Sequence, residues 1–293
     1  MLLALVIKIY ITVKGWHDKP WLHRNQWGNV KYLSSSLVLK IGRDNVAVEA
    51  DTISFIRSNT SIPVPHVIAS DRAFGKTYML MRRVDGMPLQ SAWRDLNAEQ
   101  RTNVIEQLRS FVAQLRTLSP TLSRRHSVGA VCALNNAPLS DSRIASAPVG
   151  PFPNERAFND HLIVVAEPYM DETTLPSIRA RMSDDHRICF THGDLTPRNI
   201  FVQGGNVTAI IDWEESGWYP EHWEFVKALW CTLKDPEWLR ASYLITWWAH
   251  SEGITMLINS STKPNLCGCC GPIVGASAIG LPENPSECAP LLA

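Results

Sequence analysis

The stretch CFTHGDLTPRNIFVQGGNVTAIIDWEE, from Cys189 to Glu215, sets a histidine, two aspartates before the final acidic pair and an asparagine against apolar residues. Polar groups taken out of water cost free energy unless they are partnered. The fold must therefore bring these groups together, or bring them to a ligand. NIFV, QGGN and VTAIID read as two strands about a glycine turn. With the turn centred between Gly204 and Gly205, Asn199 falls roughly opposite Ile210, and Asp212 lies just past that rung. Asp194 precedes the hairpin by a short loop and folds over the same rim. Two carboxylates and an amide oxygen there are hard oxygen ligands, the kind Mg²⁺ takes alongside substrate phosphates. Asp194 is then left for proton abstraction. A lone aspartate would read as a cap; the full spacing reads as a site.

The remainder of the chain supplies a frame for it. Val30–Leu33 and Leu37–Ile41 read as paired strands, and Thr77–Val84 as another. Asp44 or Asn45 can cap a helix running to about Ser58, which IPVP ends because residues before proline leave the helical region. NAEQ at Asn97 has the spacing of a capping box, and Val104, Leu108, Phe111, Leu115 and Leu118 then recur at helical spacing. Residues 119–153, rich in Ser, Pro, Ala and Gly, read as loop or insertion. Helices are expected over 154–165 and about 175–182, then a short strand over 187–191. Two tryptophan-rich helical stretches, 221–233 and 238–258, come after the hairpin.

On Lys40 two readings compete. A lysine in LVLKIG is commonly an edge-strand charge reaching solvent. On the next helix, however, Glu49, Ile53 and Ile56 share one stripe while Asp51 turns away. An inward lysine facing an inward glutamate is an ion pair.

Charge and cysteine content narrow the class. Twenty-eight basic and 28 acidic residues cancel, which sets aside a nucleic-acid binder. At the N-terminus, MLLALVIKIYITVKGW has its lysines inside and after the apolar run. That is the wrong order for a signal peptide, the run is too short to span a bilayer, and Val6–Val13 alternates like a strand. Seven cysteines form no disulfide framework. Cys132, Cys189 and Cys231 sit singly among apolar residues as reduced core thiols, and CGCCG, with Cys267, Cys269 and Cys270, lacks paired zinc spacing. The expected compartment is cytoplasmic, with no membrane partner.

HGDLTPRNI…IIDWE resembles the catalytic loop and metal-binding hairpin of the kinase superfamily, with Gly193 where protein kinases have arginine and Asp-Trp-Glu where they have Asp-Phe-Gly. It is most similar to the aminoglycoside phosphotransferase and choline kinase family, and IPVP with the tryptophan-rich region resembles the fungal-type subgroup. The resemblance runs from about Trp27 to Ala241. It implies an α+β, two-lobed protein-kinase-like fold, with a small β-rich N-lobe and a larger, mainly helical C-lobe. The expected bounds are 1–84, 85–261 and a poorly ordered tail over 262–293.

The resemblance also implies roles. Asp194 would be the catalytic base, Asn199 and Asp212 the Mg²⁺ ligands, and His192 a structural residue of the loop. Lys40 and Glu49 would serve the ATP phosphates. MLMRRVDG would be the hinge, with Met81 as gatekeeper and the Arg82 carbonyl and Val84 amide on adenine. The implied reaction moves the γ-phosphoryl of ATP to a hydroxyl of a small molecule. Glu214, Glu215, Glu221 and Glu224 could attract a cationic amine, although acidic residues by a loop are commonly a solvated face.

Some features depart from the pattern. No G-x-G-x-x-G lies between Gly15 and Gly28, and the C-terminal residues from STKPNLCGCCG onward resemble no packed helix. A nucleotide-binding protein without transfer is therefore one alternative and a protein kinase another. A metal hydrolase is weaker still, because no second histidine stands at ligand spacing.

Overall fold

The structure, a computed structural model, describes residues 29–120 and 128–232, with 238, 241, 245 and 246. The expected strand at Val6–Val13, the loop between Gly15 and Gly28, most of the 238–258 helix, Cys267, Cys269, Cys270 and the 262–293 tail lie outside these residues. Residues 238, 241, 245 and 246 are helical and buried.

The first part of the chain builds a four-stranded antiparallel sheet in the order β1-β2-β4-β3: β1 Val30–Tyr32, β2 Leu37–Gly42, β3 Val67–Ala73 and β4 Lys76–Arg82. Helix α1, Asp44–Asn59, joins β2 to β3 and buries Val46, Glu49, Ala50, Ile53 and Ile56, the stripe that its 3.6-residue period lays down. Asp51 faces solvent. Neither Asp44 nor Asn45 caps this helix. Arg43 holds the N-cap position without a side-chain bond, and its backbone N–H donates to Asn45 Oδ1 at 3.3 Å. Strand β3 escapes the sequence reading: VIASDRA alternates between half-buried and exposed positions, so it shows no apolar run.

A three-stranded sheet comes next in the order β5-β7-β8: β5 Met87–Pro88, β7 Ile200–Gln203 and β8 Asn206–Ile210. Gly204 and Gly205 both have positive φ, 58° and 80°, as a two-residue primed turn demands. Helix α2, Ala98–Thr117, carries the capping box that NAEQ spells: the Gln100 N–H donates to Asn97 Oδ1 at 2.9 Å, and the Asn97 N–H to Gln100 Oε1 at 3.0 Å. Helices α3, Glu155–Ala166, and α4, Thr174–Arg179, come next, with Asn154 capping α3 through the Ala157 N–H. Strands β6, Ile188–Thr191, and β9, Gly217–Pro220, form a two-stranded sheet, and helix α5, Trp223–Thr232, leaves it.

Residues 128–153 are irregular, as expected, but they are no surface insertion. Val131, Cys132, Leu139 and Ile144 are fully buried, and Cys132 exchanges backbone bonds with Trp218. The Cys132 thiol is pushed up to about 12 by burial, in keeping with an inert core cysteine. One apolar cluster runs from the four-stranded sheet and α1 through α2 to the hairpin and Trp218. A second gathers Val131, Phe158, Tyr219 and Trp223 beneath α3. The hairpin is thus clamped between helix packing and the backbone bond from the Ile210 N–H to the Pro63 carbonyl, at 2.8 Å.

Candidate active site

The site begins with β2 and α1. Period two along β2 turns Lys40 inward, and period 3.6 along α1 turns Glu49 to meet it. Lys40 Nζ lies 2.8 Å from Glu49 Oε2, 2.6 Å from Asp212 Oδ1 and 3.2 Å from Glu214 Oε2. Lys40 and Glu49 are 5% and 2% exposed, so the edge-strand reading of the lysine fails. Burial works against the Lys40 ammonium, but the three carboxylates outweigh it and raise its pKa well above the usual lysine range. For Glu49 burial wins over Lys40, and its carboxyl is pushed up to about 7. Glu214, which the Lys–Glu pattern gives no reason to expect here, arrives because the 3₁₀ turn Trp213–Glu215 brings it back toward β2. There it also accepts from Asn45 Nδ2 at 3.1 Å.

Asp212 has φ 68° and ψ 60°, the left-handed region that aspartate visits more readily than most residues. That conformation ends β8 abruptly and starts the 3₁₀ turn. The expected rung is corrected by one residue. A register shift between Phe201 and Val202 pairs Ile200 with Ile210, so the Asn199 carbonyl receives the Ile211 N–H at 2.9 Å. An extra residue on one strand moves everything beyond it by one position. Asn199 thereby sits beside Ile211, next to Asp212.

The loop that carries Asp194 is held by groups the sequence placed within a few residues. His192 is fully buried. Its Nδ1 accepts the Asp194 N–H at 3.1 Å, and its Nε2–H donates to the Ile211 carbonyl at 3.1 Å, which fixes the tautomer and ties the loop to the hairpin. Burial lowers the His192 pKa, so the ring stays neutral and serves as a strut. Gly193 has φ 81°, and a Cβ there would lie 2.4 Å from the Glu215 carbonyl oxygen. No arginine fits at this position, which is the physical reason for HGD in this chain.

Asp194 itself is 7% exposed. Its Oδ2 accepts from Asn199 Nδ2 at 2.7 Å and from Arg198 Nη2 at 2.8 Å, and Asn199 Nδ2 also reaches the Asp194 carbonyl at 2.9 Å. With the amide nitrogen of Asn199 committed to Asp194, its Oδ1 is the atom left for a cation. Arg198, four residues past the aspartate on an exposed turn, had no sequence signal beyond its spacing.

The four glutamates behave differently from one another. Glu224 is buried and accepts the N–H groups of His192 and Gly193, at 2.7 and 3.3 Å. Glu215 joins Asp141 around the buried Lys227, whose Nζ lies 2.5 and 2.7 Å from them. These two are internal struts and present no acidic face. Only Glu214 and Glu221, each about a third exposed at the side chain, reach the surface. Met81 is buried near the end of β4, the Arg82 N–H is taken by the His66 carbonyl at 2.9 Å, and Val84 is half-buried just beyond the strand.

Oxygen donors at Asn199 and Asp212, beside one lysine shared by three carboxylates, fit a divalent cation with bound phosphates by the chemistry of the donor set. Among the described residues no helix is long and apolar enough to cross a membrane.

Comparison with known proteins gives a consistent picture. The sequence pattern described as "Phosphotransferase enzyme family" matches residues 23–247. No curated protein matches the sequence. Among solved structures, a variant of aminoglycoside 2'-phosphotransferase-IIIa in complex with GDP superposes with a TM-score of 0.56 at 14% identity, covering 88% of this chain and 87% of that one. The streptomycin–ATP ternary complex of APH(2″)-IIa gives 0.55 at 12%, covering 86% and 87%. The gentamicin complex of the same protein gives 0.54, again at 12% identity, covering 86% of each chain. At such identities the likeness is one of fold, and the fold is α+β and protein-kinase-like.

Proposed function

The chain belongs to the phosphotransferase enzyme family, and from that premise we propose that it moves the γ-phosphoryl group of ATP to a hydroxyl of a small molecule. The observation that carries the proposal is the meeting of Lys40, Glu49 and Asp212, from three separate elements, beside the Asp194–Asn199 loop. Phosphoryl transfer asks a protein mostly to position reactants and offset charge. Lys40, oriented by Glu49, would hold the α- and β-phosphates. Asn199 Oδ1 and Asp212 would hold Mg²⁺, which offsets phosphate charge when bound. Asp194, oriented by Asn199 and Arg198, would align the acceptor hydroxyl and take its proton as the new O–P bond forms and ADP leaves.

In this reading residues 1–84 are an N-lobe that binds nucleotide, 85–261 a C-lobe that carries the loop and the acceptor pocket, and 262–293 a tail. The hinge of Met81, Arg82 and Val84 would hold adenine. The nucleotide and aminoglycoside complexes of the similar structures support nucleotide binding and a small-molecule acceptor. Fold does not fix substrate, so the acceptor class stays at a hydroxyl-bearing small molecule. The cytoplasm is the expected place of action.

Calorimetry of ATP binding with and without Mg²⁺, on wild type and Asp212→Ala, tests the nucleotide half. Binding that needs both the metal and Asp212 supports it. The transfer half is tested by Asp194→Ala, expected to lower kcat by about 10²–10⁴, the range of a general base. Tight Mg·ATP binding without transfer to any hydroxyl acceptor would leave a nucleotide-binding protein, and label appearing on protein substrates would make it a protein kinase.

A further inference from the structure

Away from the nucleotide site, three segments bring Glu155, His186 and His222 together: the first turn of α3, the approach to β6 and the approach to α5. Glu155 is 3% exposed and His222 6%. The His186 backbone N–H donates to Glu155 Oε2 at 2.7 Å, and His186 Nδ1 lies 2.6 Å from Oε1. The two imidazoles meet edge to face, with centroids 4.6 Å apart. An ion pair accounts for Glu155 and His186 but leaves His222 unexplained. His222 Nδ1 is buried with no hydrogen-bond partner among the described residues, and such a nitrogen costs free energy unless something meets it.

We propose that Glu155, His186 and His222 form a zinc site that staples α3 and α5 to the strand leading into the Asp194 loop. A carboxylate oxygen and one nitrogen from each ring lie within 4.8 Å of one another. Donors around one tetrahedral zinc stand about 3.3 Å apart, given Zn–N and Zn–O distances of about 2.0–2.2 Å, so rotamer adjustments of about an ångström complete the site. Two imidazoles and one carboxylate suit Zn²⁺ and ill suit Mg²⁺, which takes oxygen. The set is therefore distinct in chemistry from Asn199 and Asp212. Three protein ligands leave a fourth position to water.

The test uses the full chain with Cys267→Ser, Cys269→Ser and Cys270→Ser, so that thiols of the CGCCG stretch cannot bind the metal. Zinc is titrated against a competing chelator, with Tm measured in parallel. The expected result is one zinc per chain with a rise in Tm, an affinity about 100-fold or more weaker in Glu155→Gln and His222→Gln, and no change in Asp212→Asn. Absence of zinc binding, or equal affinity in the wild type and both variants, overturns the site. Should the variants fail to fold, X-ray absorption on the zinc-loaded parent decides: two imidazoles with oxygen donors support the site, and fewer than two imidazoles overturn it.

Discussion

Lys40 Nζ donates to Asp212 Oδ1 at 2.6 Å across 172 residues of chain, and the same ammonium holds Glu49 at 2.8 Å. One buried cation thus stands between an element of the first sheet and the rim of the hairpin. Removing it leaves Glu49 buried without its counter-charge. Lys40→Met is expected to cost about 3–5 kcal/mol, the penalty of a broken buried pair. Adding Glu49→Gln should return part of that loss, because a neutral amide no longer needs the cation. Urea unfolding of the single and double variants checks this, and strictly additive costs would count against a coupled pair.

Asp212 separates charge from backbone conformation. At φ 68° an asparagine is as well tolerated as the aspartate, and Lys40 still keeps Glu49 and Glu214 as counter-charges, so Asp212→Asn should keep most of its stability. It should lose the metal dependence of nucleotide binding, falling to the affinity that chelation of Mg²⁺ leaves in the wild type. Calorimetry with and without chelator makes the comparison. An Asn variant that still responds to Mg²⁺ would move the metal ligand elsewhere.

Gly193 carries a different constraint. Its φ of 81° and the Glu215 carbonyl oxygen, 2.4 Å from where a Cβ would stand, both exclude a side chain. The left-handed conformation alone costs an alanine about 1–2 kcal/mol, and the carbonyl must also shift. Gly193→Ala is therefore expected to lose more than about 2 kcal/mol and to lower kcat, since the displaced loop carries Asp194. Unfolding and turnover measured on one preparation test both, and an unaltered Tm would show that the loop has room there.

Where short-range rules decide the outcome, the sequence was readable. Lys40 and Glu49 could be paired because strand and helix periods fix the direction of each side chain. The Asn97–Gln100 cap and the Gly204–Gly205 turn are local chemistry and appear as written. The register beyond Phe201 was not readable, since a bulge depends on what the strand packs against. Nor was the buried Lys227–Asp141 pair, whose partners lie 86 residues apart and acquire meaning only after folding. Residues 128–153 hid their core role for a related reason: they pack without period, through single bridges to Trp218 and Phe152. Glu224 looked like surface charge beside its acidic neighbours, and only the fold shows it under the loop that carries Asp194.

That placement of Glu224 gives a pH dependence with a definite sign. Burial, set against the His192 and Gly193 N–H groups, pushes its carboxyl up to about 7, from 4.5 in an unstructured chain. Between those values the folded state binds more protons than the unfolded one. Its contribution is therefore fully present below about pH 4.5 and is lost as pH rises through 7. The shift corresponds to at most about 3 kcal/mol. Glu224→Gln carries no titrating group at this position. Its stability relative to wild type should therefore rise between pH 4.5 and 7 and level off above, while other titrating groups cancel in the difference. Urea unfolding of both proteins across that range supplies the measurement. A flat difference would mean that Glu224 is already ionised at pH 5, held by the two N–H groups more strongly than burial opposes it.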